Sequence, residues 1–122
     1  MTKKVVMIGW HPSAVNYENH PGLTAEKLET SLWADEKALK ALGFDAAIGF
    51  IRSAETAADD ARALLSEGEF DVVLIGAGVR KDDDCFLVFE QLVNIVHECA
   101  PQAKIAFNTG PTDSAAAVQR WA

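Results

Sequence analysis

Val72-Val73-Leu74-Ile75-Gly76-Ala77-Gly78 is the stretch that decides the fold. An unbroken aliphatic run without polar alternation reads as a strand buried on both faces, and the glycines end it in a turn. Val5-Val6-Met7-Ile8-Gly9 and Ile105-Ala106-Phe107-Asn108-Thr109-Gly110 repeat the pattern. Each run is followed by a helix-like stretch, as expected of parallel strands covered by crossover helices. The three turns at Gly9, Gly76 and Asn108 are therefore expected side by side on one rim of a sheet. That rim is where open α/β sheets bind their ligands.

Working outward, residues 4–9 form the first strand, and residues 10–23 form a loop of 14 residues carrying Trp10, His11, Pro12, Asn16, Tyr17, Glu18, His20, Pro21 and Gly22. A loop of that length in a small domain is often functional, and its aromatics and prolines suit a lid. Thr24 is a good N-cap for the first helix, with Leu23 and Leu28 at the spacing of a hydrophobic staple. Leu28, Leu32, Leu39 and Leu42 share one helical face, and Gly43 ends the helix. Asp35 falls inside that apolar stripe, where a carboxylate must find a donor or emerge at a surface. Trp33 points the other way, among charged residues.

Residues 44–51 are the second strand. Ser53 or Thr56 caps a second helix that stops at Gly68. Residues 70–76 are the third strand, 79–84 a loop and helix start, 84–99 the third long helix, and 104–107 the fourth strand. The acidic run Asp82-Asp83-Asp84 suits the positive end of a helix dipole. Gly110-Pro111 shapes a turn, and Thr112 or Asp113 caps a last helix. The β-α alternation predicts an α/β doubly wound parallel sheet of about four strands, order 2-1-3-4, in a single domain over residues 1–122.

Composition narrows the function classes. The 122 residues are 49% hydrophobic and 24% charged, with a formal net charge of −7. An acidic surface repels phosphate backbones and anionic lipid, so neither nucleic acid nor a membrane is expected as a partner. Cys85 and Cys99 lie 14 positions apart on the apolar side of one helix, too far for a disulfide, and read as buried free thiols. Met1-Thr2-Lys3-Lys4 runs straight into a strand without a secretory leader, and no apolar run approaches the roughly 20 residues that span a bilayer. The expected compartment is the cytoplasm.

The candidate site is built on the rim: Gly9, Trp10, Gly76, Gly78, Arg80, Asn108, Thr109, Gly110, Thr112 and Asp113 as ligand-binding residues. Gly76-Ala77-Gly78 resembles the start of a dinucleotide fingerprint, but Lys81 stands where the third glycine belongs, and a simple tight turn is the competing reading. Arg80 is placed to fork onto a carboxylate or phosphate, or else to pair with Asp82 or Asp83 in solvent. Free amides and the hydroxyls of Thr109 and Thr112 suit an anion, whereas Asp113 suits a donor group, so a mixed ligand is conceivable. His11 is the acid/base candidate. His11, Glu18 and His20 match no metal-ligand spacing, so no metal is expected. No cofactor is specified.

The order of strands and helices resembles that of flavodoxin-like (Rossmann-like) proteins, receiver domains among them, over nearly the whole chain. It is a resemblance of pattern, shared with small bacterial α/β proteins of unassigned function. The residues that a receiver phosphorylates or uses around that site are missing: Gly9-Trp10 stands for its acids, Ile75-Gly76 for its aspartate, and only Thr109 matches its hydroxyl. Flavodoxin's hydroxyl-rich loop has no counterpart in Gly9-Trp10-His11-Pro12-Ser13. Two functions follow as expectations. One is a protein that binds a small polar or anionic ligand at the rim, with or without catalysis. The other is a non-catalytic, receiver-like interaction module. In either case the apolar third long helix and Trp33 predict a homo-oligomer, most simply a two-fold homodimer.

Overall fold

The computed structural model describes residues 2–110 and 112–122; Pro111, in the expected Gly-Pro turn, lies outside them. The elements run β1 (Lys4–Trp10), α1 (Ala25–Ala41), β2 (Asp45–Ile51), α2 (Ala57–Leu65), β3 (Val72–Ile75), α3 (Ala77–Arg80), α4 (Phe86–Cys99), β4 (Lys104–Phe107) and α5 (Ser114–Trp121). The sheet has four strands in the order β2-β1-β3-β4, every pair parallel. This is the doubly wound, flavodoxin-like α/β arrangement. No helix of the described residues is long and apolar enough to cross a membrane.

The strands are apolar throughout because both faces of the sheet are covered, and side chains alternate between the faces. Val6, Ile8, Val73 and Ile75 pack against Ala57, Ala61 and Leu65 of α2, Val79 of α3, and Leu92 and Val96 of α4. Val5, Met7, Val72 and Leu74 pack on the opposite face with Leu39 of α1 and with Ala117 and Val118 of α5. Thr24 caps α1, its hydroxyl accepting from the Lys27 amide at 3.2 Å. Gly43 terminates the helix with φ +96°, a left-handed conformation that favours glycine.

Register fixes the rim. Ile8 pairs with Ile75, and Ile75 with Phe107, so Gly76 and Asn108 leave the sheet level with Gly9, which is not the expected turn: β1 runs on beside β2 through Gly9–Phe50 and Trp10–Ile51. The chain after Gly76 departs from the expected loop and turns at once into α3. Gly76 itself is extended (φ −69°, ψ 153°). Its value is close approach: a Cβ there would sit 3.3 Å from the Ile8 carbonyl oxygen, which the Gly76 amide engages at 2.9 Å. Two apolar-face expectations fail at helix ends. Leu42, past the last turn of α1, is exposed, and so is Cys99, the last residue of α4. Cys85 is buried as expected.

Candidate functional site

A cleft of about 700 Å3 opens at the carboxyl ends of the strands. It lies over the switch point between β1 and β3, where the chain leaves the sheet in opposite directions and a crevice forms for topological reasons. Its floor is Gly9, Trp10, Gly76, Ala77, Gly78, Asn108, Thr109 and Gly110. The α1 wall contributes Leu28, Ser31, Leu32 and Asp35; the opposite wall contributes Lys81, Asp82, Asp84, Cys85 and Val88. Ala14, Val15, Asn16, His20 and Leu23 of the long loop, with Arg52, Ser53 and Ala54 after β2, complete the rim.

The loop over the cleft is not featureless. Two short 3-10 turns, Pro12–Ala14 and Tyr17–Asn19, fold it, and the Tyr17 hydroxyl donates to the Pro12 carbonyl at 2.6 Å. Its far end is clasped across the cleft, with His20 Nε2 lying 3.0 Å from Asp82 Oδ2. Trp10 ties the floor to α3 through its indole N–H, 3.1 Å from the Gly78 carbonyl.

Asn108 is the keystone of the floor. It is 7% exposed; its Oδ1 accepts from the Ala77 amide at 2.8 Å, and its Nδ2 donates to Ser114 Oγ at 2.9 Å. Ser114, 1% exposed, donates in turn to Asp35 Oδ2 at 2.7 Å. A continuous polar chain thus joins α3, β4, α5 and α1, and it supplies the donor that Asp35 requires. Burial pushes the Asp35 carboxyl above the ordinary carboxylate range; the Ser114 hydrogen bond opposes this, and the nearby Asp113 charge adds to it.

The Thr109, Gly110, Ala77 and Gly76 amides of the rim are engaged within the protein. The carboxylate of Asp113 accepts from the amides of Thr109 (3.0 Å) and Gly110 (3.1 Å) and from the Thr109 hydroxyl at 2.8 Å. These bonds, the Thr109 hydroxyl first, hold the Asp113 carboxyl below its usual range. Asp60 does the same after β2, accepting from the Arg52 amide at 2.9 Å. Asn108 holds Ala77, and Ile8 holds Gly76.

The sequence-derived candidates divide accordingly. Gly9, Trp10, Gly76, Gly78, Asn108, Thr109 and Gly110 line the cleft; His11, Arg80, Thr112 and Asp113 are not part of its wall. The His11 ring packs edge-on to Phe50, with Nδ1 2.8 Å from Ser13 Oγ. Arg80 turns to the α4 side and lies over the Phe107 ring at 5.4 Å, its Nε and Nη2 buried without a hydrogen-bond partner among the described residues. Asp35, His20, Asp82 and Cys85, none of them expected among the ligand-binding residues, line the cleft as well. Asp35 carried a sequence signal as a carboxylate in an apolar stripe, and His20 as a histidine in the long loop. Of the residues weighed as metal ligands, His20 reaches the cleft and His11 and Glu18 do not. The donor atoms of Asp82, Asp84 and Cys85 lie within 4.8 Å of one another, the cleft's nearest approach to a metal-ligand set. Burial, then the charges of Asp84 and Asp82, push the Cys85 thiol up.

The chain matches no protein-family model, and no curated protein is significantly similar to it.

Proposed function

We propose that the protein binds a small polar ligand with an apolar body in the cleft over β1 and β3. The observation that carries this reading is the Asn108–Ser114–Asp35 chain, in which buried Asn108 and Ser114 hold a carboxylate on the same wall as Leu28 and Leu32. Wall residues such as Leu28, Leu32 and Val88 supply the apolar contact, and the volume is in the range of ligand pockets. Of the polar and anionic ligands expected from sequence, the polar class is favoured. The Gly76, Ala77, Thr109 and Gly110 amides already have internal acceptors, and Arg80 lies elsewhere. His11 stands apart from the cleft, so the site offers no acid/base pair built around it.

The test is a metabolite thermal-shift screen read again by tryptophan fluorescence. In a Trp33→Phe/Trp121→Phe background, Trp10 on the cleft floor is the sole reporter. A true ligand raises the melting temperature and changes Trp10 emission, and Leu32→Tyr, which crowds the cleft wall without adding an indole, weakens both. Stabilisation undiminished in Leu32→Tyr would refute the reading.

Self-association is a second reading, as a two-fold homodimer. It is supported by Phe86 and Leu87 at the start of α4, which are 58% and 73% exposed, and by Trp33 on α1 at 46%. Sedimentation of the wild type against Leu87→Glu tests it; a monomer at every concentration in both would end it.

A further inference from the structure

We infer that the cleft is selective for a cationic ligand, an ammonium or amidinium group on an apolar body, whose nitrogen donates to Asp35. The inference rests on the ligand-binding reading above and specifies the chemistry of that site.

Three observations converge. First, the amides of Arg52, Ala77, Thr109 and Gly110 at the strand ends, the usual anion receptors of such a rim, are held by the protein's own acceptors: Asp60 after β2, Asn108 at α3 and Asp113 after β4. At these amides a phosphate or carboxylate would have to displace a carboxylate or a carboxamide already in place. Second, carboxylates outnumber Lys and Arg in the cleft lining, Asp35, Asp82 and Asp84 against Lys81 and Arg52. Lys81 Nζ donates to the Thr109 carbonyl, and Arg52 Nε lies 3.8 Å from Asp60 Oδ1, with the side chain largely in solvent. Third, the carboxylate of Asp35 is oriented. Ser114 holds one oxygen at 2.7 Å and is itself held by Asn108, both of them more than nine-tenths buried. Its remaining acceptor capacity has no hydrogen-bond or ion-pair partner among the described residues. Leu32 and Leu28 lie about one and two turns before it on the same helix in the wall, so an apolar body beside the cation has contacts there. A cation is the group that relieves a partly desolvated carboxylate, and a charge-assisted hydrogen bond is the strong kind.

Matched indole probes test this by titration calorimetry: tryptamine (cationic), tryptophol (neutral) and indole-3-propionate (anionic). Tryptamine is expected to bind at least about tenfold more tightly than either analogue, the scale of one charge-assisted hydrogen bond. Asp35→Asn keeps an acceptor for Ser114 and preserves shape. It should erase the tryptamine advantage and leave tryptophol binding unchanged. Asp84→Asn removes an equal charge from the opposite wall and should have the smaller effect. Equal or tighter binding of indole-3-propionate, equal loss in Asp84→Asn, or an unchanged tryptamine affinity in Asp35→Asn would overturn the inference. Cleft binding itself would stand, because a probe would still occupy the site. Failure of all three probes also overturns the inference, and the fluorescence screen with Leu32→Tyr then decides separately whether the cleft binds at all.

Discussion

Replacing Asn108 by alanine is expected to destabilise the protein by about 2–4 kcal/mol, since two hydrogen bonds at the base of the cleft are lost together. The Ala77 amide, now 2.8 Å from Asn108 Oδ1, is left without its acceptor in a partly buried place. An orphaned donor of that kind costs about 1–3 kcal/mol. Ser114 Oγ loses the donor at 2.9 Å but keeps Asp35 as its own acceptor, so the second loss is the smaller one. Urea unfolding is the assay. With a slope of about 2 kcal/mol/M the midpoint falls by roughly 1–2 M, and the slope itself is unchanged. Asn94→Ala is the control, because Asn94 makes a similar amide hydrogen bond, to the Glu90 carbonyl at 2.9 Å, but in the open on α4. It should move stability by about 0.5 kcal/mol or less. The double variant Asn108→Ala/Ser114→Ala should be non-additive, because both changes break the same bond. If Asn108→Ala costs no more than Asn94→Ala, the keystone role is wrong.

Gly43→Ala should lower stability by about 1–2 kcal/mol, the strain of a left-handed conformation for an L residue, with Gly43→Asn milder; equal melting temperatures would refute this. Asp113, held below its usual range by Thr109, contributes stability that is present above the ordinary carboxylate value and lost as pH falls through its depressed one. Asp113→Asn should therefore flatten the acid limb of a stability–pH curve. Asp35 has the opposite sign. Raised by burial, it favours the folded state while protonated, and that contribution is lost as pH rises through its elevated value; ligand-free Asp35→Asn should remove that decline without a loss of stability near neutrality. Exposed Cys99 should react with a thiol-specific disulfide reagent well before Cys85, which is buried and whose thiol is pushed up; equal rates would contradict the placement of Cys85.

The strands, their order and the rim were legible in the sequence because each rests on a local pattern. An unbroken aliphatic run marks a strand covered on both faces, and a glycine or asparagine marks its end. Capping by Thr24 and termination at Gly43 are equally local. The chemistry of the rim was not legible, because its determinants meet only after folding. Arg80 stands two residues past Gly78, and sequence proximity suggested a shared site. In the structure Ala77–Arg80 is one helical turn that aims the guanidinium at Phe107, away from the cleft. The amides after β4 looked free for an anion, yet Asp113 folds back on them. Asp35 was visible as an anomaly, but its donor lies 79 residues away on α5. Periodicity reports which face of an element is buried. Which side chain meets which across two layers of helices is set by packing, and only the tertiary structure decided that the cleft wall carries a carboxylate held from α5.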